Sequence, residues 1–135
     1  MILKHIFVNL PVSDLKRTQT FFEKLGFSFH PQFTSDAAAC MIIHDNIYAM
    51  LLTHEHFATF TKKKIADAHQ VTEVLIALSA ESREEVDRLV DQALALGATS
   101  YAEPADHGFM YQRSFADFDG HQWEVAWMDP AFVKS

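Results

Sequence analysis

The sequence predicts an α+β fold in which one strand–helix–three-strand module occurs twice. Three observations carry this. An apolar strand pattern runs into an amphipathic helix twice, each time with a glycine stop: Gly26 and Gly97. Each half then shows three further strand patterns. An Asp-centred turn precedes the last strand of each half, Asp45-Asn46 in one and Asp119-Gly120 in the other.

The elements follow in order. Ile6 to Leu10 is apolar and β-prone and ends at Pro11. Ser13 or Asp14 can cap a helix reaching Leu25, with Leu15, Phe21, Phe22 and Leu25 on one face. Phe27 to Phe33, Ala38 to His44 and Ile47 to Thr53 read as strands, the first of them edge-like because of Pro31. The first module thus spans 1–56, with His54-Glu55-His56-Phe57 weakly helical at its end, and a linker spans 57–70.

The second module spans 71–135. Val71 to Ser79 reads as its first strand. Ser82-Arg83-Glu84-Glu85 forms a capping box for a helix whose stripe is Val86, Leu89, Val90, Ala93 and Leu96. Thr99 to Glu103 reads as a strand, Pro104 to Gly108 as a loop, and Met110 to Ala116 and Gln122 to Met128 as the closing strands.

Composition narrows the functions. The 135 residues suit one domain, and 49% hydrophobic content, with 12 Phe, supplies a core and rings for a pocket. A net charge of -7 argues against nucleic acid as a partner, and Lys62-Lys63-Lys64 reads as a solvated linker. Apolar runs fall short of the ~20 residues of a membrane helix, and Lys4 and His5 interrupt any signal-peptide core. The expectation is a cytoplasmic protein that does not engage a membrane. Cys40, the single cysteine, lies in an apolar run and reads as a buried thiol. With 4 Gly and no phosphate-loop, triad, zinc or dinucleotide motif, those chemistries are not indicated.

The stretch Phe7-Val8-Asn9-Leu10-Pro11-Val12-Ser13-Asp14-Leu15, with Phe21-Phe22-Glu23-Lys24-Leu25-Gly26-Phe27, resembles the opening of the glyoxalase/bleomycin-resistance/extradiol-dioxygenase group. That group is also called the vicinal-oxygen-chelate (VOC) superfamily. Phe118-Asp119-Gly120-His121-Gln122-Trp123-Glu124-Val125 is similar to its closing turn and strand, in the wording of predicted lactoylglutathione lyases. The resemblance implies two paired βαβββ modules around a small-molecule cleft. It also implies a homodimer, and in metal-dependent members a divalent ion (Zn, Ni, Mn or Fe) held by His, Glu or Gln. The group hosts isomerases, dioxygenases, epimerases and binding proteins, so fold alone does not choose among them.

Carried over residue by residue, the ligand positions are Phe7, Met50, Glu73 and Glu124. Phenyl offers no lone pair and thioether is a soft donor, so the reading favours no metal. A two-residue register change would bring His5 in beside Glu73 and Glu124 as a metal ligand. Without metal, Glu73 and Glu124 are candidate catalytic carboxylates in an apolar cleft, able to share a proton, to act as general acid and base, or to hold a cation or amine. Phe7, Asn9, Met50, Leu75, His107, Tyr111 and Arg113 are candidate ligand-binding residues, Arg113 either on an anion or paired with Glu124. Three functions stay open: a metal-independent binder, a lactoylglutathione lyase-like or dioxygenase-like metalloenzyme, and a metal-free acid–base enzyme.

Overall fold

The computed structural model describes residues 1–132. The chain divides into two compact units, the first Met1–Ala66 and the second beginning at Asp67.

In the first unit β1 (Ile6–Val12) leads into α1 (Leu15–Leu25). Asp14 caps the helix, its carboxylate accepting the Arg17 amide at 3.1 Å. Gly26 ends it at φ 109°, where its N–H reaches the carbonyls of Glu23 and Phe22. Leu15, Thr18, Phe21, Phe22 and Leu25 form the buried stripe. Removing a Phe of this kind from water contributes roughly 1.5–3 kcal/mol. Next come β2 (Ser28–Phe29), β3 (Ala38–His44), β4 (Ile47–Thr53) and the short α2 (His54–Phe57). The sheet order is β1-β4-β3-β2, with β1 parallel to β4 and the other pairs antiparallel. The strand expected over Phe27 to Phe33 is shorter. Pro31 brings in a 3₁₀ turn, Pro31–Phe33, because it fixes φ and lacks an N–H for a ladder.

The second unit repeats the order. β5 (Leu75–Ala80) leads to α3 (Arg83–Ala95), followed by β6 (Ala105–Asp106), β7 (Met110–Ala116) and β8 (Gln122–Met128). Its sheet runs β5-β8-β7-β6, again with one parallel pair, β5 with β8. Ser82 caps α3 by accepting the Glu85 amide at 3.1 Å. Val86, Val90 and Ala93 face inward, and α3 packs over β7, β8 and β5.

Three segments of this unit differ from expectation. The strand predicted over Val71 to Ser79 starts at Leu75 and ends at Ala80. The strand predicted over Thr99 to Glu103 is reduced to a single bridge, Thr99 with Ala116. The expected loop Pro104 to Gly108 instead supplies β6, closed against β7 by Ala105–Gln112 and Asp106–Tyr111 pairing. The closing turn Asp117–Gly120 forms as expected. The Asp117 carboxylate accepts backbone N–H groups from Asp119 and His121 and the indole N–H of Trp123, each at 3.0 Å. Burial pushes this carboxyl above its ordinary value, against the pull of His121 and of its three donors.

No helix among the described residues is long and apolar enough to cross a membrane. Cys40 is fully buried, and burial raises its thiol pKa. It is held as the neutral thiol.

Candidate functional site

Strand alternation gives each sheet two faces. In the second unit the face toward α3 carries Tyr111, Arg113, Phe115, Trp123, Val125 and Trp127, since Phe115 stacks on Trp123 and both Tyr111 and Arg113 bond to α3. The opposite face is built in rows by the register. Ala77, Glu124 and Ser114 lie side by side, with Leu75, Gln122 and Ala116 on one flank and Ser79, Ala126 and Gln112 on the other.

Glu124 is the centre of that face. It is half-buried, and Gln112 Nε2 donates to its Oε2 at 3.1 Å. Among the described residues no Lys, Arg or His forms an ion pair with it. Ser114 beside it is buried. Tyr101, from the irregular segment after α3, places its buried hydroxyl next to Ser114 without a well-directed hydrogen bond. Burial, partly offset by Ser114 and aided by the Glu124 charge, raises the Tyr101 pKa, so the phenol keeps its proton. Gln112, Ser114 and Tyr101 were not foreseen. Ser114 and Gln112 were accessible to simple hairpin counting about the Asp117–Gly120 turn; Tyr101 carries no periodic signal.

Glu73 does not join Glu124. It lies exposed in a bend before β5. Glu124 pairs with Ala77, four residues further along the chain. Among the described residues no hydrogen bond joins the two carboxylates, and the chain beside Glu73 meets the Glu124 face at Thr72, whose hydroxyl donates to Gln122 Oε1 at 2.9 Å. Leu75 does lie on the Glu124 face, half exposed.

Tyr111 and Arg113 are on the other face. The Tyr111 hydroxyl donates to Asp87 Oδ1 at 2.6 Å, and Arg113 Nη1 donates to Asp87 at 3.0 Å and Asp91 at 2.8 Å. The Tyr111 hydrogen bond first, then Arg113, holds the Asp87 carboxyl below its ordinary value. The expected Arg113–Glu124 pair does not form, because odd and even positions of β7 project to opposite sides. His107 sits exposed at the β6–β7 hairpin tip, its N–H bonded to the Met110 carbonyl at 2.8 Å. It is not among the neighbours of Glu124.

In the first unit, Phe7, Asn9, Tyr48 and Met50 share one face. Phe7 stacks on Tyr48 with centroids 4.8 Å apart, and His5, just before β1, lies 5.9 Å from the Tyr48 ring. Asn9 and Cys40 are the strand neighbours of Met50.

The two units can be matched by their own landmarks. β1 ends at Val12 and its helix cap is Asp14; β5 ends at Ala80 and its cap is Ser82. Asn9 pairs with Met50, and Ala77 with Glu124. Phe7 therefore corresponds to Leu75, not Glu73, and Met50 to Glu124. Of the four matched positions Phe7, Met50, Leu75 and Glu124, one carries a hard donor. A catalytic metal normally has about three protein ligands. Among the described residues no group of three His, Cys, Asp or Glu side chains comes together to hold an ion. The residues at these positions do not fit a divalent metal.

Duplicated βαβββ modules with parallel outer strand pairs define a class of protein. The profile of the Glyoxalase/Bleomycin resistance protein/Dioxygenase superfamily matches residues 2–125, and the chain belongs to that superfamily. Solved structures agree on the fold. Hypothetical protein SA1046 from S. aureus is 26% identical with a TM-score of 0.78, over 93% of this chain and 95% of that one. A glyoxalase/bleomycin resistance protein/dioxygenase family enzyme from Burkholderia phytofirmans PsJN is 20% identical, TM-score 0.74, over 90% and 96%. The fosfomycin resistance protein FosX from Listeria monocytogenes, complexed with Mn(II) and sulfate ion, is 23% identical, TM-score 0.69, over 96% and 94%. No curated protein matches the chain.

Proposed function

We propose that this superfamily member binds a small molecule without a metal, on the face of the second sheet that carries Glu124. The observation behind this reading is the donor set. Phe7, Met50 and Leu75 occupy the positions matched to one another across the modules, and Glu124 alone remains as a hard donor. The polar groups around it, Gln112, Ser114 and Tyr101, are suited to hydrogen bonding an organic ligand. The homodimer and the cytoplasmic location expected from the sequence belong to the same reading. Light scattering of the purified chain checks the first of these: a species of twice the 15.4 kDa chain mass is expected.

The lyase-like or dioxygenase-like alternative draws support from the Mn(II) complex of FosX. It requires at least two further donors beside Glu124.

The test is a small-molecule screen by amide NMR on protein held in excess chelator. Ligands that bind with micromolar affinity and shift Glu124, Gln112, Ser114 and Tyr101 support the reading, provided Glu124→Gln weakens them. Binding that appears only after a divalent ion is added refutes it.

A further inference from the structure

We propose that the ligand taken at Glu124 is a small organic cation, with a protonated primary amine set against the carboxylate. This rests on the metal-free binding reading above and adds the chemical class of the ligand.

The charge pattern of the face carries the inference. The side chains that β5, β7 and β8 turn to this face are Leu75, Ala77, Ser79, Met110, Gln112, Ser114, Ala116, Gln122, Glu124, Ala126 and Met128 by register. None is basic, and one is acidic. Arg113 is committed to Asp87 and Asp91 on the opposite face. Arg83 is committed to Asp106. An anionic ligand would meet an uncompensated carboxylate here, which is repulsive in a half-buried place.

Glu124 itself is underserved. Among the described residues its one hydrogen bond comes from a neutral carboxamide, which is weaker than a charge-assisted one. A carboxylate withdrawn from water without a cation is costly, and an ammonium group supplied by a ligand offsets that cost.

The neighbours match the geometry of a primary ammonium, which has three N–H donors and no acceptor. Glu124 keeps free lone pairs, and the buried Ser114 beside it and the enclosed Tyr101 hydroxyl are neutral groups that bring no competing charge. Tyr101 stays protonated, so it adds no second negative charge. Ala77 and Ala126 are small and flank Glu124, and Leu75 gives the ligand's carbon chain an apolar contact.

The experiment uses three isosteric probes on the full chain in chelator: n-butylamine hydrochloride, n-butanol and sodium butyrate, each titrated by amide NMR. The expected result is saturable shifts at Glu124, Gln112, Ser114 and Tyr101 with butylammonium alone. Glu124→Gln should weaken that binding at least tenfold and Tyr101→Phe two- to fivefold, both with unchanged circular dichroism. Equal or tighter binding of butanol or butyrate at these residues overturns the cation assignment and leaves metal-free binding standing. Shifts at these residues with manganese chloride, in chelator-free buffer, and with no organic probe overturn both. Absence of any shift with butylammonium, or shifts indifferent to Glu124→Gln, overturns the cation assignment.

Discussion

Arg83 grips Asp106 through two hydrogen bonds, Nη1 at 2.8 Å and Nη2 at 2.9 Å, while its guanidinium lies 5.1 Å from the ring centroids of both Tyr111 and Trp127. The same guanidinium donates to the Gly108 carbonyl at 3.0 Å. One side chain at the start of α3 thereby fixes the β6–β7 hairpin tip that carries His107.

That grip has a pH signature. Arg83, then the Gly108 amide, holds the Asp106 carboxyl at about 2. A lowered carboxyl contributes stability above its unfolded value near 3.8, and the contribution is lost as pH falls through about 2. Carboxyl NMR should find Asp106 titrating near 2 in the native protein and moving toward its ordinary value in Arg83→Gln. Amides 107–109 of that variant should exchange faster. An unchanged Asp106 titration in the variant would remove the latch from the account.

Asp117 organises the turn before β8, and so the placement of Glu124. Asp117→Ala leaves two backbone N–H groups and the Trp123 indole N–H without their acceptor. Denaturant unfolding should show a loss of roughly 2–4 kcal/mol. Asp117→Asn, which retains one acceptor oxygen, should fall between the two. Because burial raises this carboxyl, its contribution is fully present below the unfolded carboxylate value and is lost as pH rises through the folded one.

Gly120 and Gly26 separate backbone conformation from crowding. Both have positive φ, 84° and 109°. A Cβ at Gly26 meets nothing within 4 Å, whereas at Gly120 it would stand 2.8 Å from the Ala68 carbonyl carbon and the His69 nitrogen. Gly26→Ala should cost about 1–2 kcal/mol. Gly120→Ala should cost roughly 2–5 kcal/mol, since backbone must move as well. Melting temperatures of the two variants give the comparison, and equal losses would contradict it.

Much of this fold is legible in the sequence because it is written in local chemistry. Asp14, Gly26 and Ser82 fix helix ends through their own amides and dihedrals, and the stripes of α1 and α3 follow the helical period. The misplacement of Glu73 has a specific cause. Val71, Thr72 and Val74 carry β propensity, but the Val71 N–H is taken by the Asp67 carbonyl at 3.0 Å in a local turn, and the ladder begins at Leu75. The shift of two residues keeps every side chain on its expected face, and apolar alternation could not expose the error. Arg113 illustrates a different limit: a strand residue's side is readable, but which side holds the helix depends on the partner elements. Tyr101 lies in irregular chain, where position is set by packing alone.

Metal content measures the central claim most directly. The protein is purified without chelator, dialysed against mixed Zn, Ni, Mn and Fe salts, desalted, and analysed by inductively coupled plasma mass spectrometry beside Glu124→Gln. Well below one equivalent of every metal, equal in the two proteins, is the result predicted from a lone carboxylate among Ala77, Ser114 and Gln112. One equivalent retained by the native chain and lost in Glu124→Gln would contradict it.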